Sequence, residues 1–349
     1  MTILPPHPLL TAASCKGRRF LGCELAILGG AMTWVSERNL VTALGQAGAF
    51  GVLACGAMLP ERLDEEIAAT QAMSSTPFGV NLIVMHPDLP RLVEVCLDRK
   101  VGHVVLAGGL PHKDTIEAIK KGGAKLVCFA PTLALAKKLV RSGADALVIE
   151  GSEAGGHIGP VSTSVLAQEI LPFVTDVPVF VAGGIGHGEM IAAYLRMGAS
   201  GVQMGTRFAA ATESIAHAAF KQAFVRASAR DAVTSVQVDP AFKVIPVRGL
   251  ANAGTQRFIE TQIDVIGRHR RGETSFEEAS LLIERFWAGA LRRAVVEGDV
   301  EQGSLMAGQS VGFVKAVEPV AAILAELVAQ TETALARTAQ AGALPATAA

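Results

Sequence analysis

Residues 178–208 read PVFVAGGIGHGEMIAAYLRMGASGVQMGTRF, and this stretch decides the fold. Two short apolar runs each end in small residues, and the stretch between them has the spacing of an amphipathic helix. The same unit recurs toward the N-terminus, where the apolar runs are continuous, as in strands that are buried on both faces. The eight runs begin near Leu25, Gly51, Phe78, His103, Lys125, Ala146, Pro178 and Gly201.

Eight strand–helix units predict an α/β protein that closes into a (β/α)8 TIM barrel. A doubly wound open sheet is the alternative. The barrel is favoured because no G-x-G-x-x-G motif follows the first strand and the glycine-rich motifs follow strands six, seven and eight. Helices are predicted over residues 60–73, 133–142 and 188–197. Glycines suited to end a helix stand at Gly48, Gly122, Gly143 and Gly198.

The alternation of strands and helices stops after Phe208. Residues 212–289 carry more charge, including the basic run at 268–271, and we expect a small, mostly helical substrate or cap domain inserted after strand eight. The barrel would then consist of residues 1–211 and 290–349. A last helix is predicted over residues 317–330, and the small residues from Thr338 onward predict a tail without regular structure.

The composition excludes several classes of protein. The 349 residues carry a formal net charge of −1, and 5% of them are aromatic, which argues against binding to nucleic acid. No apolar run is long enough to cross a membrane, so we expect a cytoplasmic protein. The five cysteines form no C-x-x-C pair or zinc-type cluster, and no metal site is predicted. Barrels of this size occur as monomers and as homodimers, and the sequence leaves both open.

Two glycine-rich segments predict a phosphate site. Gly183 and Gly184 follow strand seven, and Met204, Gly205 and Thr206 follow strand eight. In barrels of this type, a phosphate commonly lies on the loops after these two strands, because glycines let several backbone N–H groups approach it. Tight turns that merely need glycine are the alternative, but two segments at adjacent positions favour phosphate.

The segment EGSEAGGHIG, residues 150–159, predicts the catalytic loop. Glu150 ends strand six, and Ala154, Gly155 and Gly156 would let the backbone approach a flat or bulky group. His157 follows them, and an imidazole is suited to proton transfer or to polarising a substrate. A surface histidine in a flexible loop is the alternative.

Three further segments are candidates for the mouth of the barrel. Gly30, Ala31 and Met32 follow strand one. Asn81, near the end of strand three, offers a carboxamide that can both donate to and accept from a heterocycle, although a strand-end cap explains it equally well. Gln309 lies in a glycine-rich break near the C-terminus and could close over the mouth, or it could simply begin a helix.

With these motifs in their order and spacing, the sequence resembles the FMN-dependent nitronate monooxygenase (2-nitropropane dioxygenase) family, which includes the FMN-dependent enoyl-[acyl-carrier-protein] reductase. The resemblance covers about residues 27–328. It implies a barrel with FMN at its C-terminal face and a helical cap. The FMN phosphate would lie at Gly183, Gly184, Gly205 and Thr206. The ring and ribityl chain would lie near Gly30, Ala31, Met32 and Asn81, with His157 beside the ring and Gln309 near the cofactor.

The resemblance implies nitronate oxidation, with O2 as co-substrate and a carbonyl compound and nitrite as products. Two departures bear on it. His187 replaces an acid of the usual G-G-I-A-D-G segment, and Ile158 and Glu150 stand where nitronate enzymes often carry Arg and Gln. These residues are closer to the reductases, so the alternative is NAD(P)H-dependent reduction of an enoyl thioester, on an acyl carrier protein, or of a quinone. A barrel that binds flavin or another phosphorylated ligand without turnover is a third hypothesis.

Overall fold

The computed structural model describes residues 4–56, 58–242 and 245–342. Eight parallel strands form a closed barrel in which the last strand pairs with the first, so the predicted (β/α)8 architecture is confirmed. A two-residue strand, β7 (Gly156–His157), lies outside the barrel. The barrel strands are β1 (Ile27–Gly29), β2 (Phe50–Ala54), β3 (Phe78–Ile83), β4 (His103–Ala107), β5 (Lys125–Phe129), β6 (Ala146–Glu150), β8 (Val179–Ala182) and β9 (Gly201–Met204).

Helices cover the outside of the barrel. The helix predicted over residues 60–73 is α4 in full, with a proline in its first turn and Leu63 and Ile67 buried against the strands. The other helices up to β9 are α1 (Pro8–Ala13), α2 (Cys15–Leu21), α3 (Arg38–Gln46), α5 (Leu89–Asp98), α6 (Lys113–Lys121), α7 (Leu133–Arg141), α8 (Thr163–Ile170) and α9 (Gly188–Arg196).

Left-handed glycines end several of these helices, as predicted. Gly48, Gly143 and Gly198 have φ values of 87°, 109° and 102°. Gly122 is the C-cap residue of α6, as predicted, but it stays in the right-handed region with φ −73°, and the next residue, Gly123, takes the left-handed conformation at φ 82°. In all four cases the left-handed residue is the second one after the helix, where a side chain would be strained.

Alternate residues of each barrel strand face opposite ways. In β6, Leu147 and Ile149 belong to the large cluster between strands and helices, whereas Ala146 and Val148 belong to the cluster inside the barrel. The period of two then turns Glu150, the last residue of β6, toward the interior at the C-terminal end. The same argument applies to Asn81 in β3 and Gln203 in β9, whose neighbours along the strand lie in the outer cluster.

The chain after β9 forms a short helix and then the cap. A cluster of buried residues separate from the barrel core lies entirely within residues 242–287, inside the predicted cap. The expectation of a mostly helical cap omitted two strands. The elements are α10 (Thr206–Ala209), α11 (Ala218–Arg226), β10 (Ala232–Thr234), β11 (Val247–Leu250), α12 (Ala253–Arg270) and α13 (Phe276–Arg292). Helix α13 runs across the predicted boundary between residues 289 and 290, and the domain division itself stays a prediction.

The C-terminal segment returns to the barrel. Helix α14 (Val320–Gly342) packs against α9, where a Cβ at Gly188 would lie 2.4 Å from the Thr331 nitrogen. The tail predicted to begin at Thr338 is therefore wrong as far as Gly342, and residues 343–349 lie outside the described part of the chain. Among the described helices, none has both the length and the apolar character that a membrane crossing needs.

Candidate active site

The C-terminal mouth of the barrel carries inward-facing polar side chains. Asn81 is 7% exposed, and its amide nitrogen donates to the Val105 carbonyl 3.1 Å away on the next strand. Because Asn81 lies inside β3 and bonds across to β4, its amide oxygen is left for a donor from outside the protein.

Gln203 is a second polar residue of the mouth, and the sequence analysis missed it. It is 8% exposed, and in the described part of the chain its amide makes no hydrogen bond. A Cβ on Gly30 would lie 3.0 Å from its Cδ, so Gly30 is the residue that leaves room for this amide. The sequence feature that could have predicted Gln203 is that it is the one polar residue in the apolar run GVQM, at an inward position of the strand.

Glu150 is the third. It pairs in register with Ala182 at the end of β6 and is half-buried. Burial raises the pKa of the Glu150 carboxyl to about 7. No hydrogen bond or ion pair of this carboxyl is found among the described residues. A proton can therefore be gained or lost here close to neutral pH.

The loops after β8 and β9 expose backbone donors. Gly183 and Gly184 have φ values of 98° and 73°, and a Cβ on Gly184 would lie 3.0 Å from the Glu153 Cβ. Over residues 4–56, 58–242 and 245–342, the N–H groups of Gly184, Gly205 and Thr206 meet no protein acceptor. Unpaired amides beside glycines fit an anion such as phosphate.

The loop after β1 closes on the same side. The Ser36 hydroxyl donates to the Gly30 carbonyl at 2.9 Å and accepts from the Met32 N–H at 3.0 Å, with Ala31 between these two residues. The Met32 sulfur would lie 3.3 Å from a Cβ on Gly205. The structure thus brings Met32 to the loop after Met204, as a shared site requires.

The C-terminal segment completes the mouth. The Gln309 N–H donates to the Glu153 carbonyl at 2.9 Å, and the Gly308 N–H donates to the Thr206 hydroxyl at 3.0 Å. A Cβ on Gly155 would lie 2.5 Å from the Gly308 nitrogen, so both backbones can meet only because these residues are glycines. The segment around Gln309 therefore lies over the loop that also holds Ala154 and Gly156.

The Glu153 side chain fixes the base of this loop. Its carboxylate accepts from the Thr163 N–H at 2.8 Å and from the Thr163 hydroxyl at 2.9 Å. This carboxylate is occupied at the start of α8, and it is not available for proton transfer in the mouth.

His157 is held by the cap. Its strand, β7, is the edge strand of a three-stranded antiparallel sheet with β10 and β11, in which Val247 pairs with His157. The next residue, Ile158, is buried, and its N–H donates to the Pro246 carbonyl at 2.9 Å. The His157 side chain is exposed. The His157 imidazole therefore lies where the cap meets the barrel.

Arg248 on β11 ties the same loop to the cap. Its guanidinium donates to the Ser152 carbonyl at 2.7 Å and to the Ala232 carbonyl at 2.6 Å. Burial lowers its pKa from the usual value. This arginine positions the backbone of the histidine loop, and two of its five N–H donors are bound to carbonyl groups.

His187 and the basic run of the cap, both singled out in the sequence, have structural roles. His187 stands at the start of α9, where its Nδ1 accepts from the Glu189 N–H at 3.2 Å, as a carboxylate would at a helix N-cap. In the basic run of the cap, Arg271 lies 2.6 Å from Glu273 and Arg270 lies 2.8 Å from Asp239. The described residues contain no group of three or more side chains arranged to hold a metal ion.

The mouth of this barrel has unpaired amides beside glycines and polar side chains that face inward. These features are typical of cofactor-dependent (β/α)8 enzymes. Comparison with known proteins narrows this class. The chain belongs to the nitronate monooxygenase family, whose model matches residues 18–92 and 89–330. This confirms the resemblance found in the motifs, and it makes the chain an oxidoreductase of a generally flavin-dependent family.

Three individual proteins illustrate the family. A (3aS,4S,5R,7aS)-5-hydroxy-7a-methyl-1-oxo-octahydro-1H-indene-4-carboxyl-CoA dehydrogenase of Mycobacterium tuberculosis is 30% identical over 84% of this chain and 89% of its own length. A nitronate monooxygenase of Paraburkholderia phytofirmans is 28% identical over 90% of this chain and 93% of its own. The structure of FabK from Thermotoga maritima is similar with a TM-score of 0.83 and 35% identity, covering 93% and 98%.

Proposed function

We propose that this protein binds FMN at the mouth of the barrel. The unpaired amides of Gly184, Gly205 and Thr206 would hold the phosphate, together with Gly183. The amides of Asn81 and Gln203 would orient the ring by hydrogen bonds. Gly30, Ala31, Met32, Glu150, Ala154, Gly155, Gly156, Met204 and Gln309 complete the lining. FMN would supply hydride transfer. The loops after β8 and β9 fit this cofactor because their unpaired N–H groups, beside glycines, can bind its phosphate.

The substrate we propose is an enoyl thioester that is reduced at the expense of NAD(P)H. The observation that carries this choice is the residue after His157. Ile158 is buried and uncharged, at a position where nitronate enzymes often carry Arg, and the guanidinium of Arg248 is directed at two backbone carbonyls. A nitronate is an anion that a cation next to His157 would bind, whereas a thioester carbonyl is neutral and needs only a hydrogen-bond donor.

His157 would supply that donor. Its imidazole is exposed on β7 and can donate to the thioester oxygen, which draws electrons away from the double bond as hydride arrives. The close contact of Gly155 with Gly308 leaves no space for a side chain at either position. Balance requires one hydride and one proton to be added across the double bond, while NAD(P)H becomes NAD(P)+.

Two of the similar proteins support a thioester as the substrate. The Mycobacterium tuberculosis dehydrogenase acts on a carboxyl-CoA compound, and FabK is an enoyl-ACP reductase. The carrier of the acyl group, coenzyme A or an acyl carrier protein, is part of the proposal. A cytoplasmic location and a homodimer are also part of the proposal.

The experiment is anaerobic. Protein loaded with FMN is mixed with NADH or NADPH, and the flavin colour should fade rapidly and return when crotonyl-CoA is added. Persistence of the colour with both nucleotides would contradict the proposal.

Nitronate oxidation with O2 is the second candidate, favoured by the family match and by the Paraburkholderia phytofirmans relative. In that case His157 would contact the nitro group. Oxygen uptake and nitrite release with propyl-2-nitronate, in the absence of nicotinamide, would establish it.

A further inference from the structure

Glu150 has a place in the mouth that the proposed mechanism does not use. Its side chain faces the barrel interior, as those of Ala146 and Val148 do lower on the same strand. At this level the interior also receives Asn81 and Gln203, both uncharged. A carboxyl that faces a ligand cavity without a protein partner is costly to keep, unless a ligand contacts it.

We propose that Glu150 contacts the bound flavin and makes both FMN affinity and the flavin reduction potential depend on whether this carboxyl holds a proton. The inference rests on the proposed binding of FMN. It goes beyond it by assigning to one side chain the control over how readily the cofactor is reduced.

The charged groups around Glu150 do not compete for this role. On the neighbouring strand β8, the residue opposite Glu150 is Ala182. In the following loop, the Glu153 carboxylate is bound at Thr163. The elements packed on β6 carry the titratable groups Lys125 and Cys128 on β5 and Glu169 on α8. Farther away, His157 lies on the edge of the cap sheet, and the Arg248 guanidinium donates to the Ser152 and Ala232 carbonyls.

Burial alone raises the pKa of Glu150 to about 7, and no neighbouring charge contributes to the shift. Below this pH the carboxyl is neutral and can donate a hydrogen bond to an acceptor on the ring. Above it the carboxylate repels the negative charge that reduction places on the ring, and also the phosphate. The reduced cofactor should then be less stable, so the potential should fall more steeply with pH above 7 than below it.

The residue type at this position also relates to reaction type. Nitronate enzymes of the family often carry Gln here, as noted above, and Gln donates a hydrogen bond at every pH. Glu150→Gln therefore produces a permanently neutral donor of the same shape. An ionised Glu150 would destabilise the negatively charged ring that hydride uptake produces, and so would favour the release of hydride from the ring to the substrate.

The experiment compares the wild-type holoprotein with Glu150→Gln and with a matched control, Glu94→Gln, which removes the same charge from an exposed position on α5. FMN affinity is measured by quenching of flavin fluorescence, and the potential of the bound flavin by spectroelectrochemical titration, both across a range of pH centred on 7. If binding shifts the pKa of Glu150 by one unit, the wild-type Kd should rise about tenfold across this range.

We expect the Kd and potential of wild type and Glu94→Gln to bend near pH 7, and those of Glu150→Gln to show no bend. Identical profiles for wild type and Glu150→Gln would overturn the inference. Absence of FMN binding in the wild type would instead reject the proposed function. If Glu150→Gln fails to fold, Glu150→Met fills a similar space without charge and should also show no bend in either profile.

Discussion

The two ends of the barrel interior are built from the same strands. They differ in whether their inward positions are filled by apolar or by polar side chains. At the N-terminal end, the interior is filled by Phe50 and Phe180 and closed by Phe20 and Leu21 of α2. At the C-terminal end, the inward positions hold Asn81, Glu150 and Gln203.

At the N-terminal end, the side chains of His103 and Lys125 each make a hydrogen bond inside the protein, although the His103 Nδ1 has no partner in the described part of the chain. The His103 Nε2 donates to the Phe20 carbonyl at 3.0 Å, and Lys125 donates to the same oxygen. Glu150 and Gln203 find no partner among the described residues. We infer from this difference that the end where whole polar side chains lack a protein partner is the end where a ligand would bind.

The strongest test of the packed end is Phe180→Ala. Phe180 is fully buried, and its loss leaves a cavity, so the free energy of unfolding should fall by about 3–5 kcal/mol in urea denaturation. The matched control is Phe173→Ala, at a position that is 61% exposed, where a change within about 0.5 kcal/mol is expected. Equal losses in both variants would mean that the N-terminal end is not the packed core described above.

At the open end, the next largest effect is expected for His157→Asn. Turnover should fall by about 100-fold or more, because the variant loses its titratable donor, while FMN and the free energy of unfolding stay unchanged. His187→Asn is the control, since Asn also caps a helix and turnover should persist. Turnover is measured by steady-state kinetics on protein loaded with FMN. If His157→Asn turns over as fast as the wild type, this residue has no part in the mechanism.

Gly184→Ala tests the phosphate loop. At φ 73° a side chain costs about 1–2 kcal/mol, and a loop that relaxes this strain turns its N–H groups away from the phosphate, so FMN affinity should weaken about 5- to 30-fold in a fluorescence titration. Gly102→Ala is the control at the N-terminal end, where no atom lies within 4 Å of a new Cβ, and affinity should not change. If Gly184→Ala binds FMN with unchanged affinity, the phosphate does not lie at this loop.

The smallest effect concerns His103. Burial lowers its pKa from 6.5 to about 4, so the folded state keeps the neutral ring while the unfolded chain takes up a proton as pH falls below 6.5. Stability contributed by the neutral form is thus present above pH 6.5 and is lost as pH falls toward 4. From neutral pH to one unit below 6.5, unfolding should become easier by about 1 kcal/mol. Urea titrations of wild type and His103→Gln measure this, and an equal pH dependence in both would contradict it.

The barrel was predictable because a strand buried on both faces needs a continuous apolar run, and eight such runs are visible. The small sheet of the cap was not, because β7, β10 and β11 have two to four residues each. A strand this short shows no periodicity, and what holds it is a partner distant in sequence, as Val247 is for His157.

The candidate site was predictable where glycine was required. Gly155, Gly184 and Gly205 stand at close approaches that the motifs indicated, and the structure brings their loops together. Gln203 was missed because one polar residue inside an apolar run has no local meaning until the strand direction and its neighbours are known. The roles of all these residues in binding and catalysis stay predictions.

The pairing of Val247 with His157 places the two halves of the mouth in different segments of the gene. The glycine loops belong to the barrel, whereas the backbone partner of the histidine is encoded within residues 212–289. An exchange of that segment would replace the proposed substrate wall and the support of the histidine in one event, and would leave the glycine loops intact. Recombination at the two ends of the cap is therefore a short evolutionary route from one substrate to another.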